Sequence, residues 1–165
     1  MRFIIAFLAL FATEAASAQA FASKDLAGVA RAAADALGPG FIVKAEKRRL
    51  TLVCDGCAGA PVVDLRLGRR MDGTEERVRS GSTAMADLER LCRARDPACR
   101  LSALDVSPAV GWVTGYTLGR TAGATAVIIR DGDLLTVRSL AGDPAAARAN
   151  IDKLLPVVRA RIVGR

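Results

Sequence analysis

Residues 124–140 read ATAVIIRDGDLLTVRSL, two runs rich in β-branched residues joined by Asp131-Gly132. A two-residue Asp-Gly link is the strongest short-range hairpin signal, because the turn that matches the twist of the strands needs positive φ at both central positions. The stretch is therefore expected to fold as a hairpin of strands at 124–130 and 134–140. Just beyond it, Asp143-Pro144 supplies a capping carboxylate and a proline at the first helical position, where a missing N–H costs nothing. A helix follows, with Ala147, Ile151, Leu154, Leu155, Val158 and Ile162 as its buried stripe. Pro156 inside it removes a donor and is expected to kink or split it.

Reading toward the N-terminus, residues 110–118 and 99–106 alternate as strands, with 119–123 as a connection. A helix is expected from Ser82 or Thr83, carrying Met85, Leu88, Leu91 and Cys92 on one face and ended by Asp96-Pro97. Residues 68–81 are polar apart from Met71 and Val78 and read as an exposed loop or loose hairpin. Three short β-rich runs precede them at 41–45, 50–54 and 61–67. The first helix is expected after Ser23 as cap, with Leu26, Val29, Ala30, Ala33 and Leu37 on one face, and Gly38-Pro39-Gly40 stops it. Strand runs broken by few helices imply an α+β domain: an antiparallel sheet of about six to seven strands with helices mainly on one face. Residues 41–95 and 108–162 share a βββα rhythm, which suggests a duplicated architecture. The hairpin through residues 126–140 with the helix from Asp143 resembles the end of PsbP-like α+β proteins, a likeness confined to that element and carrying no function with it.

The N-terminus has the three parts of a cleavable export signal. Met1-Arg2 is a short positive region, residues 3–12 are an uninterrupted apolar run, and Ala16-Ser17-Ala18 has the small-x-small pattern that a signal peptidase reads. Ala18-Gln19-Ala20 offers a second cut with the same pattern. The apolar run is about half of the roughly 20 residues a lasting bilayer span requires, so no retained span is expected. The expected organisation is a leader at 1–18 and a single domain at 19–165 in the periplasm or outside the cell. The leader contains Arg2 and Glu14, so its removal leaves the formal net charge at +7. Arg supplies 20 of the 24 basic residues in a chain crowded with Ala and Gly, as in GC-rich bacterial coding. Export also separates the chain from nucleic acid, which is not expected as a partner. An anionic envelope surface or an acidic envelope protein fits the charge better.

Cys54, Cys57, Cys92 and Cys99 are an even number of cysteines at short spacings, which in an oxidising compartment reads as two disulfides. Four cysteines allow three connectivities. The favoured one pairs Cys54 with Cys57 across a turn and Cys92 with Cys99 at a helix end. Cys54-Asp55-Gly56-Cys57 also has the spacing of a thiol-disulfide redox motif, but there the first thiol opens a helix whose dipole lowers its pKa. Here Ala58-Gly59-Ala60-Pro61-Val62 continues as turn and strand. The spacings also miss the usual paired zinc knuckles, and Ala58 stands where haem attachment needs histidine.

The chain has no histidine, which removes the usual general base and imidazole ligands. No dinucleotide-binding, P-loop or nucleophile-elbow motif is present. Asp72, Glu75, Glu76 and Asp105 stand singly or in loops, where a solvated carboxylate is the default. No catalytic residue, metal site or cofactor is therefore expected. Trp112 and Tyr116, four apart on a strand, share one face; they are read first as packing residues and second as an interaction surface with Arg120. The leading functional expectation is an exported non-enzymatic binding or scaffolding module of the bacterial cell envelope. The alternative is a periplasmic thiol-disulfide protein using Cys54 and Cys57.

Overall fold

A computed structural model describes residues 20–165, and the Asp131-Gly132 hairpin lies near the middle of its sheet. The leader read over residues 1–18 falls outside the described residues. The strands are β1 (Ile42–Glu46), β2 (Arg49–Val53), β3 (Val62–Arg69), β4 (Arg100–Ala103), β5 (Val110–Leu118), β6 (Thr121–Arg130) and β7 (Asp133–Ala141). They form one antiparallel sheet in the order β1-β2-β3-β7-β6-β5-β4. Asp131 and Gly132 take φ of 50° and 75°, so the turn has the twist its residues dictate. The pairing of β3 with β7, Leu65 opposite Val137, joins two meanders.

Alternation sorts the side chains onto two faces. One carries Leu50, Leu52, Val63, Leu65, Ala126, Ile128, Leu135 and Val137, all buried in the main core. Against it lie α1 (Ala30–Leu37), entered through a 3₁₀ turn at Ala27–Val29, and α4 (Pro144–Val158). Leu26, Val29, Ala33, Leu37, Ile151, Leu154 and Val158 fill the layer between, each large aliphatic contributing on the order of 1.5–3 kcal/mol. Small side chains at Ala124, Ala126 and Ala147 let α4 sit close to β6. The one buried polar bridge there, Asn150 Nδ2 to Ser139 Oγ at 3.2 Å, leaves neither partner unmet. Asp143 caps α4 as expected, its Oδ1 accepting from Ala146 N at 2.8 Å.

Four local expectations change. Asp25 rather than Ser23 satisfies the first helical donor, its Oδ1 accepting from Ala27 N, while Ser23 accepts from Asp25 N. Residues 68–81 hold a short helix, α2 (Thr74–Arg79). Asp72 accepts from Thr74 N at its start, Glu75 pairs with Arg79 one turn on, and Glu75 Oε2 accepts from Gly132 N, so tertiary contacts order a segment with little apolar content. The helix after Ala84, α3 (Met85–Arg93), buries no residue, and Leu91 on its expected inner face is exposed. Pro156 does not split α4: the helix runs through it to Val158 and continues as a π-helical turn, Arg159–Val163. Pro156 and Asp152 are both exposed, so the interruption lies on the solvent side of the helix.

The βββα rhythm is not established as a duplication. α4 packs onto β5, β6 and β7, whereas α2 meets β5 and α3 meets the edge strand β4.

Candidate functional site

The N-terminal segment, the β1–β2 turn, the end of β3 and the start of β7 meet at one end of the helix-bearing layer. Leu26 N donates to Lys47 O at 2.9 Å, and Leu67 N donates to Arg48 O at 3.0 Å, which fixes the turn between its neighbours. The junction encloses a cavity of about 400 Å³. Phe21 and Leu67 are its apolar lining, and Lys24, Lys47, Arg48 and Arg69 surround it. Asp133 is the one acidic residue there. It is 4% exposed and engaged, its Oδ2 accepting from Phe21 N at 3.1 Å and from Lys24 Nζ at 2.8 Å. Among the described residues Lys47, Arg48 and Arg69 have no acidic partner. Beyond Arg69, whose Nη2 reaches Met71 Sδ at 3.4 Å, the Met71 side chain stands 77% exposed. Such a pocket can hold an acidic group attached to an apolar body: the cations supply charge and donors, and the lining takes the hydrocarbon.

A second polar cluster lies on the opposite face of the sheet. Asp64 accepts from Arg66 Nε at 2.6 Å, Thr51 Oγ1 at 2.9 Å and Arg49 Nε at 3.0 Å. Burial opposes its charge, but the bonds from Arg66, Arg49 and Thr51 outweigh that and hold its carboxyl below the usual carboxylate range. Arg49 and Arg66 are directly opposed in register, and the carboxylate between them offsets a repulsion that would weaken the pair. The role is structural.

The residues singled out from sequence have distinct surroundings. Cys54 is bridged to Cys57 and Cys92 to Cys99. The first bridge closes a turn in which Cys54 N donates to Pro61 O and Ala60 N to Cys57 O, with no helix at Cys54. Its sulfurs lie against Gly40, where a Cβ would come within 3.0 Å of Cys54 Sγ. The second ties the end of α3 to the start of β4, with Cys99 buried. Trp112 and Tyr116 share the face opposite the main core. Trp112 is buried, while Tyr116 lies flat over Gly123 in the facing strand and its OH is 3.0 Å from Thr125 Oγ1. Arg120 stands exposed at the tip of the β5–β6 turn, outside that packing.

Three of the four loop carboxylates are also occupied structurally. Asp72 is held well below the usual range by its bonds from Thr74 and Arg70. Glu75 is lowered as well, burial being outweighed by donors from Gly132, Arg79 and Asp131. Asp105 meets Arg159 at 3.3 Å.

Sequence reading did not bring Phe21, Lys24, Lys47, Arg48, Arg69 and Asp133 together. They are up to 112 residues apart, and the run Lys47-Arg48-Arg49 was the one local signal. Neither a protein-family model nor a curated protein matches the chain. Among the described residues no helix is long and apolar enough to cross a membrane.

Proposed function

We propose that the protein is an exported, non-enzymatic binding module of the bacterial cell envelope, and that it docks on an anionic lipid surface through the cavity rimmed by Lys24, Lys47, Arg48 and Arg69. The observation that carries this is the convergence of four cations around an apolar lining, three of them without an acidic partner among the described residues. Each basic side chain near an anionic leaflet is worth on the order of 1 kcal/mol, and an exposed apolar residue such as Met71 adds insertion to attraction. The two disulfides support export, because such bridges persist where the surroundings are oxidising.

The test is flotation of the exported protein with vesicles. Phosphatidylglycerol vesicles are expected to carry it, and phosphatidylcholine vesicles are not. Lys47→Glu with Arg48→Glu should abolish flotation, whereas the same charge change at Arg93 and Arg95, on and after α3, should leave most of it. Equal loss from both pairs would reduce the effect to net charge and defeat the reading, as would indifference to lipid charge. The thiol-disulfide alternative lacks comparable support, since the Cys54–Cys57 bridge is packed against Gly40 and opens no helix.

A further inference from the structure

Phe21 and the two residues after it are firmly held. The Phe21 side chain is 5% exposed in the main core, Ala22 N donates to Val163 O, and Ser23 N donates to Ile162 O. Gly164 follows with φ of +79°, and a Cβ there would collide with Ala22, so the C-terminal turn is shaped around this segment. Phe21 N itself points at the buried Asp133 carboxylate, 3.1 Å from Oδ2. The same oxygen has one formal counter-charge in contact, Lys24 Nζ, on a side chain 55% exposed. Arg130, opposite Asp133 in the β6–β7 register, gives its guanidinium to the Val163 and Arg165 carbonyls, so the ammonium that touches this buried carboxylate is one largely hydrated group. Independently, Ala18-Gln19-Ala20 ends a small-x-small pattern at the bond before Phe21.

We infer that the protein is processed between Ala20 and Phe21, and that the new α-ammonium of Phe21 docks on Asp133 as the second counter-charge of that buried carboxylate. A signal peptidase, the enzyme class that reads this pattern, hydrolyses the bond. The C–N bond breaks, water gives its hydroxyl to the Ala20 carbonyl carbon and a proton to the Phe21 nitrogen, and that nitrogen takes a further proton from solvent at neutral pH. Cutting after Ala18 instead leaves the ammonium two residues away, roughly 7 Å of extended chain from the carboxylate. Lys47, Arg48 and Arg69 line the same cavity, but all are exposed to water, which screens them from the ammonium.

Two readouts test this. The full chain, made in a bacterial host with its own leader, is recovered from the envelope and its intact mass measured. A mass starting at Phe21 is expected, and one starting at Met1, at Gln19 or beyond Phe21 overturns the inference. A double-mutant cycle then compares the Phe21-start protein with one retaining Gln19-Ala20, each with and without Asp133→Asn. The substitution should lower the melting temperature about 3 °C further in the Phe21-start form. Equal losses would overturn the docked ammonium even if the cut is where expected. Should D133N not fold, the unsubstituted pair decides: the Phe21-start form must melt higher by a similar margin.

Discussion

Replacing Gly123 by alanine should destabilise the protein, and the same change should stabilise it once Tyr116 is removed. Gly123 is not among the positive-φ glycines, so its backbone suits alanine. Relief of glycine's unfolded-state freedom in a strand favours the substitution by about 0.5–1 kcal/mol. Against this, the new Cβ would overlap the Tyr116 ring, which lies across the facing strand at that position. Overpacking of this kind costs about 1–3 kcal/mol, and displacing the ring also loses the Tyr116–Thr125 hydrogen bond, about 0.5–1.5 kcal/mol. The net expectation is a loss of about 1–3 kcal/mol in the wild-type background. With Tyr116→Ala the obstacle is gone, and a gain of about 0.5 kcal/mol should emerge. The two backgrounds thus differ by about 2 kcal/mol, a coupling well within the resolution of urea unfolding at constant m-value. The same sign in both backgrounds would falsify the placement of Tyr116 over Gly123, and with it the assignment of Tyr116 to packing.

Asp64→Asn should cost about 1–2 kcal/mol at pH 7, because Arg66, Arg49 and Thr51 lose a charged acceptor. Its lowered folded pKa means that the carboxylate contributes stability above the unfolded value near about 3.9 and loses it as pH falls through the folded value. The gap between variant and wild type should therefore narrow in acid titrations followed by circular dichroism, and a gap constant down to about pH 2 would contradict the cluster. Replacing Cys92 and Cys99 together by serine should cost about 2 kcal/mol for so short a loop. Since α3 buries nothing, the loss should show in hydrogen exchange as lost protection at residues 85–99 while β5, β6 and β7 stay protected; uniform loss over the sheet would show that the bridge supports the core instead.

Much of the architecture was legible in order along the chain because its signals are local. The Asp-Gly turn, the Asp143-Pro144 cap and the period-two runs each act over a few residues, and each element they announce is present. The α+β class and the two short-range cysteine pairings follow from the same local information. Where local and tertiary signals disagreed, tertiary contact won. α2 forms because Glu75 reaches the β6–β7 turn, and α3 bears an amphipathic stripe that the fold leaves without a core to cover.

By itself the sequence determined the hairpin, the Asp143 cap, the alternation that separates two sheet faces, and the absence of imidazole chemistry. Only the tertiary structure decided that β3 pairs with β7, because nothing within either strand names its partner. That pairing, with the N-terminal segment folded back along the C-terminal turn, brings Phe21, Lys24, Lys47, Arg48, Arg69 and Asp133 to one cavity. Charges far apart in sequence acquire a shared field only when the chain closes around them, which is why the basic composition was visible from the start and its site was not.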